Sequence, residues 1–253
     1  SVLWMYDVIQ TRGYEKAFLW AGLLQGAVIC VAALFFRAPR ADEVPVAASS
    51  IVPPAKREYS PREAVSSSAF WVLFVLFVLV GTGGLMVTAQ FAQIAKDLNV
   101  ANVPVTLLGI TMAALPLAIV FDRVMNGACR PAFGWISDKI GRENTMFLAF
   151  LLEAVSVFVF IRYAHNPLLF VLLSGLVFFA WGEIFSLMPT TTADTFGTRD
   201  ATTIYGLLYA AKGVAAIGTP LANLLMSATG SWHSVFYVVV VMDTAAAFIA
   251  LFV

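Results

Sequence analysis

Apolar positions gather into long runs separated by short polar breaks. Seven runs approach or exceed the ~20 apolar residues that a helix needs to cross a bilayer. They are residues 18–36, 70–91, 105–135, 146–163, 168–189, 205–227 and 235–253. Residues before Gly13 read as the tail of an earlier span. The run 105–135 is long enough to tilt or kink, with Pro116 the candidate kink. Connections are short except for residues 37–66, a polar stretch with Pro39, Pro45, Pro53, Pro54 and Pro61. It reads as a linker between two bundles. At its end, Ser60-Pro61-Arg62-Glu63 predicts a capping box and a short helix leading into the next span. The predicted fold is all-α, a polytopic membrane helical bundle.

Composition supports a membrane location. Of 253 residues, 60% are hydrophobic and 12% charged. A soluble globule of this size must cover itself with more polar surface than that; a bilayer removes the need. Lys and Arg total 15, Asp and Glu also 15. The zero net charge gives no reason to expect a nucleic-acid partner. Cys30 and Cys129 form no C-x-x-C pair, and His165 and His233 have no ligand at metal spacing, so no metal or cofactor is expected. Neither H-E-x-x-H nor G-x-S-x-G occurs, which argues against an enzyme. The opening residues form no leader and both ends fall inside elements, so the chain reads as a fragment.

Basic residues set the orientation. Numbering connections alternately puts Arg37, Arg40, Lys56, Arg57, Arg62, Lys139, Arg142 and Arg199 on one side. The other side holds Arg12, Lys16, Lys96 and Arg162. The richer side is expected in the cytoplasm. Small residues (Gly22 and Gly26, then Gly81, Gly83 and Gly84) predict close helix packing or a flexible point.

Charge inside a span carries the functional signal, because it costs about 2.5–3.5 kcal/mol at the bilayer centre. Lys212 lies near the middle of its run, and Tyr205, Tyr209 and Lys212 share a helix face. An ammonium with two rings suits an anion cavity; an ion pair with Glu153, Glu183 or Asp243 is the structural alternative. Arg123 and Arg130 lie seven residues apart on one face. Arg130 could instead snorkel, and Arg123 could pair with Asp122. Glu183 is a candidate proton or charge site, able to pair with a cation or to titrate. Trp181 and Phe185 share a face beside it.

The segment Gly134-Trp135-Ile136-Ser137-Asp138-Lys139-Ile140-Gly141-Arg142 resembles the major facilitator loop G-x-x-x-D-[RK]-x-G-R in its second-half copy. With Asp138 placed at a helix N-terminus, its cations would bind carboxylates or helix ends. Together with Asn126-Gly127-Ala128-Cys129-Arg130-Pro131, Trp181-Gly182, Pro189, Asp194-Thr195-Phe196-Gly197 and Tyr205-Gly206 through Lys212, it resembles the oxalate:formate antiporter family over nearly the whole chain. The resemblance implies twelve spans, of which the chain holds about seven. Residues 1–36 would be the end of the N-terminal bundle, 37–66 a cytoplasmic linker and 67–253 the C-terminal six-helix bundle. The partners would be a small mono- or dicarboxylate, the lipid bilayer and the N-terminal half of the same transporter, in a bacterial cytoplasmic membrane.

In that family an arginine before a proline in the eighth span and a lysine in the eleventh hold the anion; they match Arg130 and Lys212. Aromatic residues of the tenth and eleventh spans match Trp181, Phe185 and Tyr209, with Arg123 and Tyr205 alongside. The sequence departs from the family's oxalate carrier in having Phe185 for Tyr, Tyr209 for Trp and Glu183 for Gly. Like charge from Glu183 should disfavour a dianion. Carboxylate exchange is the expected activity. Proton-coupled monocarboxylate symport is the alternative, although Asn126 stands where that related family has a titratable Asp. A transport-dead sensor or assembly subunit is a further alternative.

Overall fold

The computed structural model describes residues 2–37, 57–107 and 109–252. Pro39, Pro45, Pro53 and Pro54 of the expected linker lie outside the described residues. The chain forms two compact units. One holds α1 (Val2–Arg12) and α2 (Tyr14–Ala33), turned at Gly13 with φ 83°. Helix α2 exposes Phe18, Leu19, Trp20, Leu23 and Leu24, a surface that hydrocarbon solvates and water does not.

The second unit starts with α3 (Pro61–Val65) and α4 (Ser68–Asp97). The predicted capping box is present: Ser60 Oγ accepts from the Glu63 N–H at 3.4 Å, and the Ser60 N–H donates to Glu63 Oε2 at 2.9 Å. An antiparallel hairpin follows, β1 (Pro104–Leu107) and β2 (Ile110–Ala113), with Leu107 opposite Ile110. The run 105–135 is therefore not one helix. Its β-branched start (Val105, Thr106, Ile110, Thr111) pairs as strands, and helix begins only at α5 (Ala114–Ile140). Pro116 sits in the first turn of α5, where proline fits without a kink; Pro131 is the proline inside the helix.

The remaining helices are α6 (Arg142–Tyr163), α7 (Pro167–Trp181), α8 (Ile184–Phe196), α9 (Ala201–Ala216), α10 (Thr219–Thr229) and α11 (Trp232–Ala250). Helices α7 and α8 are one apolar span broken at Gly182-Glu183; α9 and α10 are another, broken near Gly218. Six helical segments among the described residues are long and apolar enough to cross a membrane. The seventh expected span, α5, has 27 residues but carries Asp122, Arg123, Arg130, Asp138 and Lys139. The chain is an integral, multi-pass membrane protein with a helical bundle.

Packing closes the second unit into a ring. In order, α9 packs on α4, α4 on α11, α11 on α6, α6 on α7, α7 on α5, and α5 on α8, which returns to α9. The Gly81–Gly84 stretch of α4 is where three neighbours approach. A Cβ at Gly81 would touch Ala215 of α9, one at Gly83 would meet Asp243 and Val239 of α11, and one at Gly84 would overlap the Trp181 indole. Of the two readings of this stretch, close packing is the one these contacts support.

Candidate functional site

Lys212 organises the site. Its Nζ lies 4.6 Å from the Phe185 ring centroid and 5.4 Å from that of Tyr209. It also donates to the Tyr209 hydroxyl at 3.2 Å. Ring faces attract a cation through their quadrupole, so aromatic residues of α8 and α9 hold the ammonium in place of a carboxylate. The alternative ion pairs are not formed: the carboxyl oxygens of Glu153, Glu183 and Asp243 are buried with no hydrogen-bond partner among the described residues.

The rings form a connected set. Phe185 and Tyr209 are 6.4 Å apart, and Tyr209 meets Tyr205 edge-on at 5.8 Å. Trp181 meets Phe185 edge-on at 5.4 Å despite the helix break between them. Trp181 itself is turned inward: it is 7% exposed, and its indole N–H donates to the Val80 carbonyl at 3.2 Å. It supports Phe185 from behind.

Arg130 belongs to α5. It is exposed, ten residues before the helix end rather than beside a loop, and makes no hydrogen bond, ion pair or ring contact among the described residues. Asn126, one turn earlier, fixes the register. Its Nδ2 donates to the Phe178 carbonyl at 3.2 Å, and it fits against Gly182, where a Cβ would overlap it and Cys129. Helix α5 is thereby seated on the α7–α8 break. Arg123 is also exposed and likewise joins none of the rings; its electrostatic neighbour is Asp122, which accepts from Ser174 Oγ at 2.9 Å. Glu183 lies at the break itself, fully buried and, among the described residues, with no cation paired to it; of its two readings, pairing is the one not met.

The loop motif has a different geometry from the one expected. Gly134 through Ile140 belong to α5, so Asp138 is in a last helical turn and not at a helix N-terminus. Gly141, with φ 89°, is the whole turn into α6. Arg142 donates to Asp138 at 2.9 Å, to Asp194 of α8 at 2.9 Å, and to the Ser137 hydroxyl. Lys139 lies 3.6 Å over the Trp135 ring. Farther along, the Glu58 carboxylate accepts from the Thr198 and Arg199 N–H groups at 3.4 and 3.0 Å, in space left by Gly197. The α4 residues Phe77, Val80 and Gly84, which hold the rings, are absent from the sequence-predicted site. Only their apolar run and the glycine cluster hinted at them.

Comparison with known proteins agrees with this architecture. Residues 124–253 match the Major Facilitator Superfamily model. Over 248 residues, 98% of the chain, the sequence is 28% identical to the oxalate:formate antiporter of Oxalobacter formigenes, and covers 56% of that protein. Over 117 residues it is 31% identical to apicoplast pyruvate carrier 2 of Toxoplasma gondii, covering 42% of the chain and 18% of the carrier. An uncharacterized 38 kDa protein of Thermoproteus tenax is 28% identical over 184 residues, 68% of the chain and 44% of that protein. The chain thus spans about half, or less, of the length of each of these relatives.

Proposed function

The chain belongs to the Major Facilitator Superfamily, and from that membership we propose that it is part of a secondary carrier for small carboxylate anions, working by exchange through alternating access. One observation carries this reading. The Lys212 ammonium stands in an apolar bundle, held by two rings and a phenol oxygen, with none of the described carboxylates paired to it. A bound carboxylate would supply the missing countercharge.

Arg130 offers the second cation, and its planar fork suits a carboxylate better than a lysine does. Empty, the two cations resist the desolvation that closure imposes; loaded, they do not. This difference favours exchange over leak. Likeness to an oxalate:formate antiporter and to a pyruvate carrier supports the carboxylate class. An ionised Glu183, beside Trp181 and Phe185 in sequence, would disfavour a dianion, so monocarboxylates come first.

The proposed setting is a bacterial cytoplasmic membrane, with residues 37–66 and 139–142 in the cytoplasm, as the two-to-one basic bias supports. Residues 67–253 would be the C-terminal bundle, and an N-terminal bundle of the same transporter would complete the cavity. The test is counterflow with the full-length transporter in proteoliposomes loaded with formate, pyruvate or oxalate. Labelled carboxylate should enter loaded vesicles and not empty ones. Equal entry into both, or into neither, refutes exchange.

A second reading, proton-coupled symport, draws on Glu183, a buried carboxyl with no partner among the described residues. A proton uncoupler abolishes uptake on that reading and spares exchange. Glu183→Gln should then flatten the pH profile of transport; an unchanged profile removes Glu183 from the mechanism.

A further inference from the structure

Phe77 of α4 is fully buried and touches both rings that hold the ammonium. Its ring meets Phe185 at 6.0 Å and 70°, and Tyr209 at 5.7 Å and 77°. With the 6.4 Å contact between Phe185 and Tyr209, three rings from α4, α8 and α9 close a triangle. Lys212 Nζ lies over Phe185 at 4.6 Å and meets Tyr209 at its hydroxyl, 3.2 Å away, with the ring centroid at 5.4 Å.

We propose that Phe77 is a positioning residue for the Lys212 ammonium, acting through the orientation of Phe185 and Tyr209. A cation–ring contact depends on the face being presented to the charge. Phe185 is constrained from two sides, by Trp181 and by Phe77. Tyr209, 39% exposed, has Phe77 as its fully buried ring contact. Removing the Phe77 ring opens a gap into which both faces turn, and the flexible lysine stem then loses the orientation they impose. Phe74, one turn earlier on α4, provides a control. Its ring contacts are Phe70 at 6.2 Å and Trp71 at 5.4 Å, away from the lysine.

The transport consequence rests on the assignment of Lys212 to the carboxylate site; the positioning role does not. Two measurements separate them. The first is acetic-anhydride labelling of Lys212 in the full-length transporter in detergent, over a range of pH, read by mass spectrometry. Phe77→Leu should raise the labelling rate by roughly three- to thirtyfold, the range a lost cation–ring contact spans. Phe77→Tyr and Phe74→Leu should match the parent. The second is carboxylate counterflow, in which Phe77→Leu should raise KM more than it lowers the maximal rate. If Phe77→Leu loses helix content, Phe77→Met, which refills the space with a flexible side chain, takes its place. Unchanged labelling in the folded variant, or an equal change in Phe74→Leu, overturns the positioning role. Changed labelling with unchanged KM overturns the assignment of Lys212 to the carboxylate site and upholds the positioning role.

Discussion

Lys212 and Phe185 stand on different helices, yet the ammonium of one lies 4.6 Å from the ring centroid of the other. The contact ties the site to the α7–α8 break, because Phe185 is the second residue of α8. It also makes the charge available. A lysine paired to a buried carboxylate would have little left for a ligand; one held by ring faces keeps its full charge.

Lys212→Gln should abolish counterflow while the protein still inserts, because glutamine keeps the bulk and loses the charge. Arg130→Lys should weaken carboxylate affinity about 10- to 100-fold, the loss of one charge-assisted hydrogen bond. Arg123→Gln should do less, since Arg123 has Asp122 as its electrostatic neighbour. Counterflow by full-length mutants reconstituted at equal amounts gives the comparison. A dead Arg123→Gln beside a normal Arg130→Gln would move the site about two turns along α5.

Gly84→Ala should destabilise the bundle by about 1–3 kcal/mol, the usual cost of overpacking a core. The new Cβ would overlap the Trp181 indole, which holds Phe185. Gly81→Ala is the contrast: its new Cβ would approach Ala215 at 3.2 Å, which small shifts relieve. Thermal unfolding midpoints in detergent should fall in the order parent, Gly81→Ala, Gly84→Ala. Equal midpoints for the two variants would contradict the assigned contact.

The capping box of α3 should weaken in acid. The Ser60 backbone N–H first, then the Ser60 hydroxyl, hold the Glu63 carboxyl below its usual 4.5, with Arg57 adding attraction. A carboxyl with a depressed folded pKa contributes stability that is complete above the unfolded value and lost as pH falls through the folded one. Protection of the amides of residues 62–66, taken relative to their intrinsic exchange rate at each pH, should therefore be high above about pH 4.5 and fall below it. Glu63→Gln should remove that dependence. A flat profile in the parent chain would show that the cap adds nothing to local order.

Orientation is open to direct labelling. A single cysteine at position 139, where Lys139 stacks on Trp135, should resist membrane-impermeant reagents in sealed cells and react after permeabilisation. Ready labelling from outside would invert the topology.

The sequence by itself determined whatever depends on local chemistry and solvent. Run lengths located the apolar helices, because a bilayer core sets how many apolar residues a helix must show. Ser60 and Glu63 announced the start of α3, since capping is settled within four residues. The shared face of Tyr205, Tyr209 and Lys212 followed from helical spacing alone. Tertiary structure decided the rest, because those outcomes depend on what comes near from elsewhere in the chain. Whether residues 104–107 and 110–113 became helix or strand depended on each other as partners and on where α5 is seated. Whether Lys212 met a carboxylate or an aromatic ring depended on the break at Gly182-Glu183, which Asn126 meets from 56 residues upstream of Gly182. Phe77 looked like any other apolar position in its run; only the approach of α8 and α9 to α4 placed its ring against the two beneath the ammonium.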